Sequence, residues 1–291
     1  MPKQQFGGPW TDEKLSRIEA YLHAYTTALK NQPFDLLYID AFAGPGYRST
    51  RATAHSEQFE LGLAELEGYG DLAKGSPRRA LEVHPHFDRY IFIEKDRDKL
   101  AELRKLESEY PDHADRMQFI GEDANTVLDR LCKTTDWRRT RAVLFLDPFG
   151  MQVDWTTVET VAKTKSVDLW YLFPAGAVTR LITREGAPPE KWQLRLDRSL
   201  GDRRWRDVFY PMSRIDDLFD DEKQTRERAI DIKRIEAYFR SRLQTIFVGV
   251  GKRALPLTNK TGFCMYLLFF ACSNQRGRKI ALRIAEHILK N

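Results

Sequence analysis

Four short apolar runs in the first half of the chain each end on an acid, and amphipathic stretches separate them. LLYID (Leu36–Asp40), RYIFIEKD (Arg89–Asp96), MQFIGEDAN (Met117–Asn125) and AVLFLDPFG (Ala142–Gly150) place Asp40, Glu94, Asp123 and Asp147 at or just past their ends. VDLWYLFP (Val167–Pro174) is a fifth apolar run. Strands that are apolar on both faces belong to a parallel sheet covered on both sides. Leu100, Leu103 and Leu106, then Val127, Leu128 and Leu131, then Trp155, Val158 and Val161 supply the helical stripes between them. The pattern predicts a doubly wound α/β fold.

The rest of the chain fits around that core. Thr11, Asp12 and Glu13 read as a helix start before Leu15, Ile18, Leu22, Tyr25 and Leu29. Residues 47–74 are polar and irregular, with one helical stretch near 59–66. Ser76 and Pro77 read as an N-cap and a first-turn proline. From 178 to 243 the chain is charged and carries Trp192, Trp205 and Phe209, with a long helix around Ile230–Leu243; this reads as a helical insertion. TIFVGVG (Thr245–Gly251) and GFCMYLLFFACS (Gly262–Ser273) are about ten residues apart, too close for a crossover helix, so they should pair antiparallel. Together these make one domain, 1–291, with seven strands.

Composition narrows the class further. Hydrophobic residues are 42% and charged residues 31% of 291, a globular balance. No apolar run approaches the ~18 residues of a membrane span. MPKQQFGGPW lacks a signal-peptide core, so a cytoplasmic location is expected. Cys132, Cys264 and Cys272 form no Cys-x-x-Cys pair and read as buried thiols. The six histidines show no metal spacing beyond His84-x-His86, and no metal site is expected. Lys plus Arg exceeds Asp plus Glu, 47 against 42, which permits a polyanionic partner without requiring one.

In an open α/β sheet the ligand sits beyond the carboxyl ends of the strands, so four acids there converge on one crevice. The loop DAFAGPG (Asp40–Gly46) adds backbone donors directly after the first strand. It lacks the Gly-Lys-Ser/Thr of a Walker loop and the third glycine of the dinucleotide fingerprint, where Ser49 stands. Asp40 suits a positive amino group better than a pyrophosphate. Glu94 is placed to accept ribose hydroxyls, and Asp123 with Ala124 to border an adenine. An amine, a ribose and an adenine without phosphate describe S-adenosyl-L-methionine (SAM).

The order of these motifs resembles a class I SAM-dependent methyltransferase, and more narrowly the three-Cys-motif partner (TcmP) family. The pieces are YIDAFAGPG, GSPRRAL, FIEKD, GEDAN, LFLDPFGMQV and LDRSLGDRRW, covering about residues 10–205. The resemblance implies a Rossmann-like, seven-stranded sheet with an antiparallel last strand. It implies a methyltransferase working beside an iron–sulfur protein that carries the three cysteines. Carried over, Asp40, Phe42, Ala43, Gly44, Pro45 and Gly46 would hold the methionine part of SAM. Glu94 would hold the ribose, Asp123 and Ala124 would border the adenine, and Asp147, Pro148 and Phe149 would line the acceptor side as the catalytic set. Amine methyltransferases carry Asn/Asp-Pro-Pro-Tyr/Phe at that position; here Phe149 replaces the second proline. The GSP start and the loop before it also resemble ribosomal-RNA adenine methyltransferases of the RlmJ type, so nucleic acid stays open as an acceptor beside a small molecule or peptide. A SAM-binding subunit that does not catalyse is the third reading.

Overall fold

The structure, a computed structural model, describes residues 9–46, 75–183, 187–215, 223–226 and 229–290. The polar loop and its helical stretch at 59–66 lie outside them. Chain order begins with α1 (Pro9–Leu29), β1 (Asp35–Asp40), α2 (Ser76–Leu81), β2 (Arg89–Ile93), α3 (Arg97–Leu103) and α4 (Leu106–Glu109). A 3₁₀ turn (Pro111–Arg116) leads to β3 (Met117–Ile120), α5 (Ala124–Thr134), β4 (Thr140–Leu146), α6 (Trp155–Lys163) and β5 (Val167–Phe173). Helix α1 starts two residues before Thr11, at a proline, which loses no helical hydrogen bond at the first position.

Strands β1 to β5 are parallel, in the spatial order β3-β2-β1-β4-β5. The chain order reverses between β1 and β4, which are paired from Asp35↔Thr140 to Asp40↔Phe145. That reversal opens the crevice in which such sheets bind ligands. Every residue of β5 is buried, as strands with two covered faces require.

Alternation along the strands divides the interior into two layers. Leu37, Ile39, Leu144, Leu169, Tyr171 and Phe269 face one of them, packed against Val127, Val158, Leu196, Leu200 and Phe239. Tyr38, Val143, Phe145, Trp170, Leu172 and Phe270 face the other, packed against Leu15, Ile18, Leu22, Ala80, Leu103 and Ala285. Cys264 and Cys272 are buried and Cys132 is half-buried; burial pushes the Cys272 thiol up to about 12.

After β5 come α7 (Ala175–Leu181), α8 (Glu190–Leu200) and α9 (Trp205–Phe209). An antiparallel pair, β6 (Met212–Ile215) and β7 (Lys223–Arg226), comes next, then α10 (Ile232–Gln244). The stretch 178–243 thus contains a strand pair that its charged sequence does not announce. Its long helix lies where the apolar spacing puts it, with Phe239 stacked on Phe173 at 3.9 Å between ring centroids. Helix α8 ends on Gly201, whose φ of +79° is left-handed. A Cβ there would stand 2.1 Å from Trp155 Cγ, so helix and ring meet over bare backbone.

The chain closes with β8 (Gly249–Val250), β9 (Leu255–Thr258), β10 (Cys264–Cys272) and α11 (Arg278–Ile288). Strand β10 runs antiparallel to β5 and to β8, which completes the expected seven-strand path. Strand β9 pairs with β10 as an eighth, formed from the short polar connection between the last two apolar runs. No helix of the described residues is long and apolar enough to cross a membrane.

Candidate functional site

The loop leaving β1 is the foundation of the site. Asp40 ends the strand fully buried, and its Oδ1 accepts from Phe42 N at 3.2 Å, bending the chain into the loop. Ala43 N donates to Ile93 O at 3.0 Å, and Gly44 N donates to Glu94 Oε2 at 3.0 Å. Glu94 Oε1 takes Asp96 N at 2.8 Å, so this one carboxylate joins the turn after β2 to the loop after β1. Gly44 has φ of +60°, and a Cβ there would meet none of the described residues within 4 Å. The loop backbone at this point is therefore left uncovered by the described residues.

Burial pushes the Asp40 carboxyl up to about 7; a Ser76 hydrogen bond opposes that rise, and the nearby Asp147 charge adds to it. Perturbed acids of this kind concentrate at functional sites. Ser76 corrects the sequence reading. Gly75 is the N-cap of α2, no side chain caps that helix, and the Ser76 hydroxyl is bound to Asp40 instead.

The raised Asp40 couples folding to pH. Between its ordinary value and about 7, folded Asp40 keeps a proton that the unfolded chain releases, so stability falls as pH rises through that window and levels off above it. Asp40→Asn is expected to remove this slope and raise Tm at pH 8 by about 3 °C, with little change at pH 4. Thermal unfolding of both proteins at pH 4, 6 and 8 checks this. Asp168, also raised to about 7 by burial, gives a slope of the same sign that both proteins share.

Asp147 stands one residue past β4, beside the crevice. Its Oδ2 accepts from Lys14 Nζ of α1 at 2.5 Å, and the Lys14 side chain is 8% exposed. Oδ1 has no partner among the described residues. Lys14 is the residue at the candidate site that motif reading missed. Its signal was in the spacing: 14, 18, 21 and 25 fall on one helical stripe, and a lysine on a buried stripe needs a partner.

Asp123 is the N-cap of α5, accepting from Asn125 N at 3.0 Å and Thr126 N at 3.4 Å. Lys95 Nζ lies 3.9 Å from its other oxygen. Asn125 then bridges the two loops. Its Nδ2 donates to Gln152 O at 2.9 Å, its Oδ1 accepts from Asp154 N at 2.9 Å and Thr157 Oγ1 at 2.8 Å, and Gln152 Oε1 accepts from Phe149 N at 3.1 Å. Pro148 is buried and Phe149 half-buried, with Lys99 Nζ 4.9 Å from the Phe149 ring centroid.

Of the residues singled out in the sequence, Asp40, the loop 42–46 and Glu94 are thus joined directly. Asp147 lies close enough to Asp40 to raise its pKa. Asp123 and Ala124 reach Phe149 through Asn125 and Gln152. Among the described residues no group of three His, Cys, Asp or Glu side chains has the geometry to hold a metal ion. His84, His86 and His113, in successive ring contact, lie on the turns before β2 and β3, away from these strand ends.

No protein-family model matches the chain, and no curated protein matches its sequence. Among solved structures its fold is similar to that of protein LPL1258 from Legionella pneumophila, described under family model DUF519. Identity is 12% and TM-score 0.50, over 95% of this chain and 91% of that one. The sheet is the doubly wound, Rossmann-like arrangement that the sequence predicts, with β10 antiparallel to its neighbours. A SAM-dependent methyltransferase from Clostridium acetobutylicum aligns at 10% identity and TM-score 0.37, over 89% of this chain and 92% of that one. The magnesium protoporphyrin IX methyltransferase of Synechocystis aligns at 10% and 0.38, over 91% and 80%. The likeness to LPL1258, at 12% identity, is one of fold.

Proposed function

We propose that this chain is a SAM-dependent methyltransferase of the three-Cys-motif partner kind, transferring a methyl group to an O or N nucleophile of a small-molecule or peptide acceptor and working with an iron–sulfur protein. The observation that carries the reading is the crevice between β1 and β4. Asp40 and Asp147 flank it, and the Glu94-braced loop lines it with bare backbone. The arrangement fits SAM: Asp147 and Glu94 beside the loop offer carboxylate oxygens, Asp40 is buried beneath it, and no described residue covers Gly44. When bound, SAM supplies an electrophilic methyl on sulfur. The chain's own task is orientation, which in such transfers accounts for much of the rate.

In this reading Gly44 and Glu94 fix the cofactor side, and Asp147 meets the acceptor. Lys14 holds one oxygen of Asp147 and leaves the other to take the acceptor's hydrogen. Transfer of labelled methyl from SAM to separated host RNA, DNA, protein and small-molecule fractions tests this, with and without the iron–sulfur protein. Asp147→Asn is expected to lower transfer at least about a hundredfold with SAM binding retained. Label in nucleic acid would replace the acceptor class. Retained SAM binding with no label in any fraction would make the chain a non-catalytic subunit.

A further inference from the structure

The cofactor loop is braced at its start by Asp40 and in its middle by Glu94, and its end is held by a side chain outside those acids. The Gly46 carbonyl accepts from Gly75 N at 3.3 Å and from Arg78 Nε at 3.0 Å. The same guanidinium forks onto Glu109 of α4, with Nη2 3.0 Å from Oε1 and Nη1 on Oε2. It also bonds the Tyr110 hydroxyl, which donates to Glu82 Oε1 at 2.8 Å. Hydrogen bonding to the Arg78 guanidinium holds the Glu109 carboxyl below its ordinary range. On the other side Gly46 is pressed by α3: a Cβ there would stand 3.1 Å from Leu103 Cδ1.

We propose that Arg78 is the positioning residue of the cofactor loop: by tying the Gly46 carbonyl to Glu109, it sets where the loop's amides stand relative to Glu94. A planar fork with five donors can serve a carbonyl and a carboxylate together, whereas an ammonium on a flexible stem cannot hold both in one plane. The neighbouring Arg79 makes the contrast within one helix. Its Nη1 goes to Glu19 at 2.7 Å and Ser16 at 3.5 Å, fastening α2 to α1.

The proposal rests on the SAM reading, so its test has two readouts. Equilibrium dialysis with labelled SAM compares wild type with Arg78→Ala, Arg78→Lys, Arg79→Ala and Glu109→Gln. Hydrogen exchange at the Ala43 and Gly44 amides is measured in the same proteins without SAM. Arg78→Ala is expected to raise the SAM Kd about tenfold or more, with Arg78→Lys in between and Arg79→Ala within about twofold of wild type. Exchange at Ala43 and Gly44 should quicken in Arg78→Ala and stay unchanged in Arg79→Ala. Should Arg78→Ala fail to fold, Glu109→Gln keeps the guanidinium on Gly46 and loosens its anchor, for an expected rise of about threefold. Equal Kd and equal exchange in the Arg78 and Arg79 variants would overturn the proposal. Quickened exchange in Arg78→Ala with no SAM binding by wild type would sink the SAM reading and leave the anchoring of the loop standing.

Discussion

Lys14→Met is expected to lower methyl transfer at least about a hundredfold and to destabilise the fold by about 1–3 kcal/mol, since it strands a half-buried carboxylate beside Asp40. The ammonium sits on Asp147 Oδ2 at 2.5 Å, and Asp40 is near enough to feel both charges. Without it, two acids face each other across the crevice. Burial and the Asp147 charge already raise Asp40, and Lys14 opposes that rise. Methionine matches the stem and removes the charge, so packing is largely kept. The double variant Lys14→Met, Asp147→Asn separates the causes: stability should return while activity stays lost. Thermal unfolding and labelled transfer on the three proteins read this out. A single variant as active and as stable as wild type would show the ion pair to be idle.

Gly201→Ala is expected to cost at least about 3 kcal/mol, lowering Tm by about 5 °C in a chain of this size. Two penalties coincide there. The residue has φ of +79°, and its Cβ would fall 2.1–2.7 Å from the Trp155 ring. The ring has nowhere to go: Arg242 stacks on it at 4.5 Å, Phe239 meets it edge-on at 6.0 Å, and its Nε1 donates to Glu159 at 2.8 Å. Gly44→Ala is the contrast. Its φ of +60° is similar but no described residue lies within 4 Å of the Cβ, so the expected cost is that of backbone strain, about 1–2 kcal/mol. Melting curves of the two alanine variants should therefore separate clearly.

Local forces are legible in the sequence and long-range ones are not. Apolar runs closing on acids and helical stripes depend on period and burial, and these placed β1 to β5 and the strand ends where the fold has them. The hairpin within 178–243 was not legible, because its residues carry charge instead of alternation. Strand β9 was hidden for a related reason: LPLT is short, and its second residue is a proline. In the site, the acids were visible because each comes after an apolar run. Their partners were less so. Lys14 is 133 residues from Asp147, and only the tertiary fold turns a lysine on a helix stripe into half of an ion pair. Ser76 reads wrongly as a cap because a serine before a proline satisfies a local rule, while in the fold a distant carboxylate takes its hydroxyl from the local amide.

Helix α1 comes early in the chain, yet part of its seat is made of the last elements. Tyr21 packs on Phe270 of β10 at 5.0 Å, and Arg17 Nη1 donates to the Ile288 carbonyl of α11 at 2.9 Å. Lys14 lies one turn earlier on the same helix. During synthesis the crevice between β1 and β4 therefore precedes the last contacts of the helix that carries its lysine, the ones to Phe270 and Ile288. The candidate site is thus braced, through α1, by the elements made last.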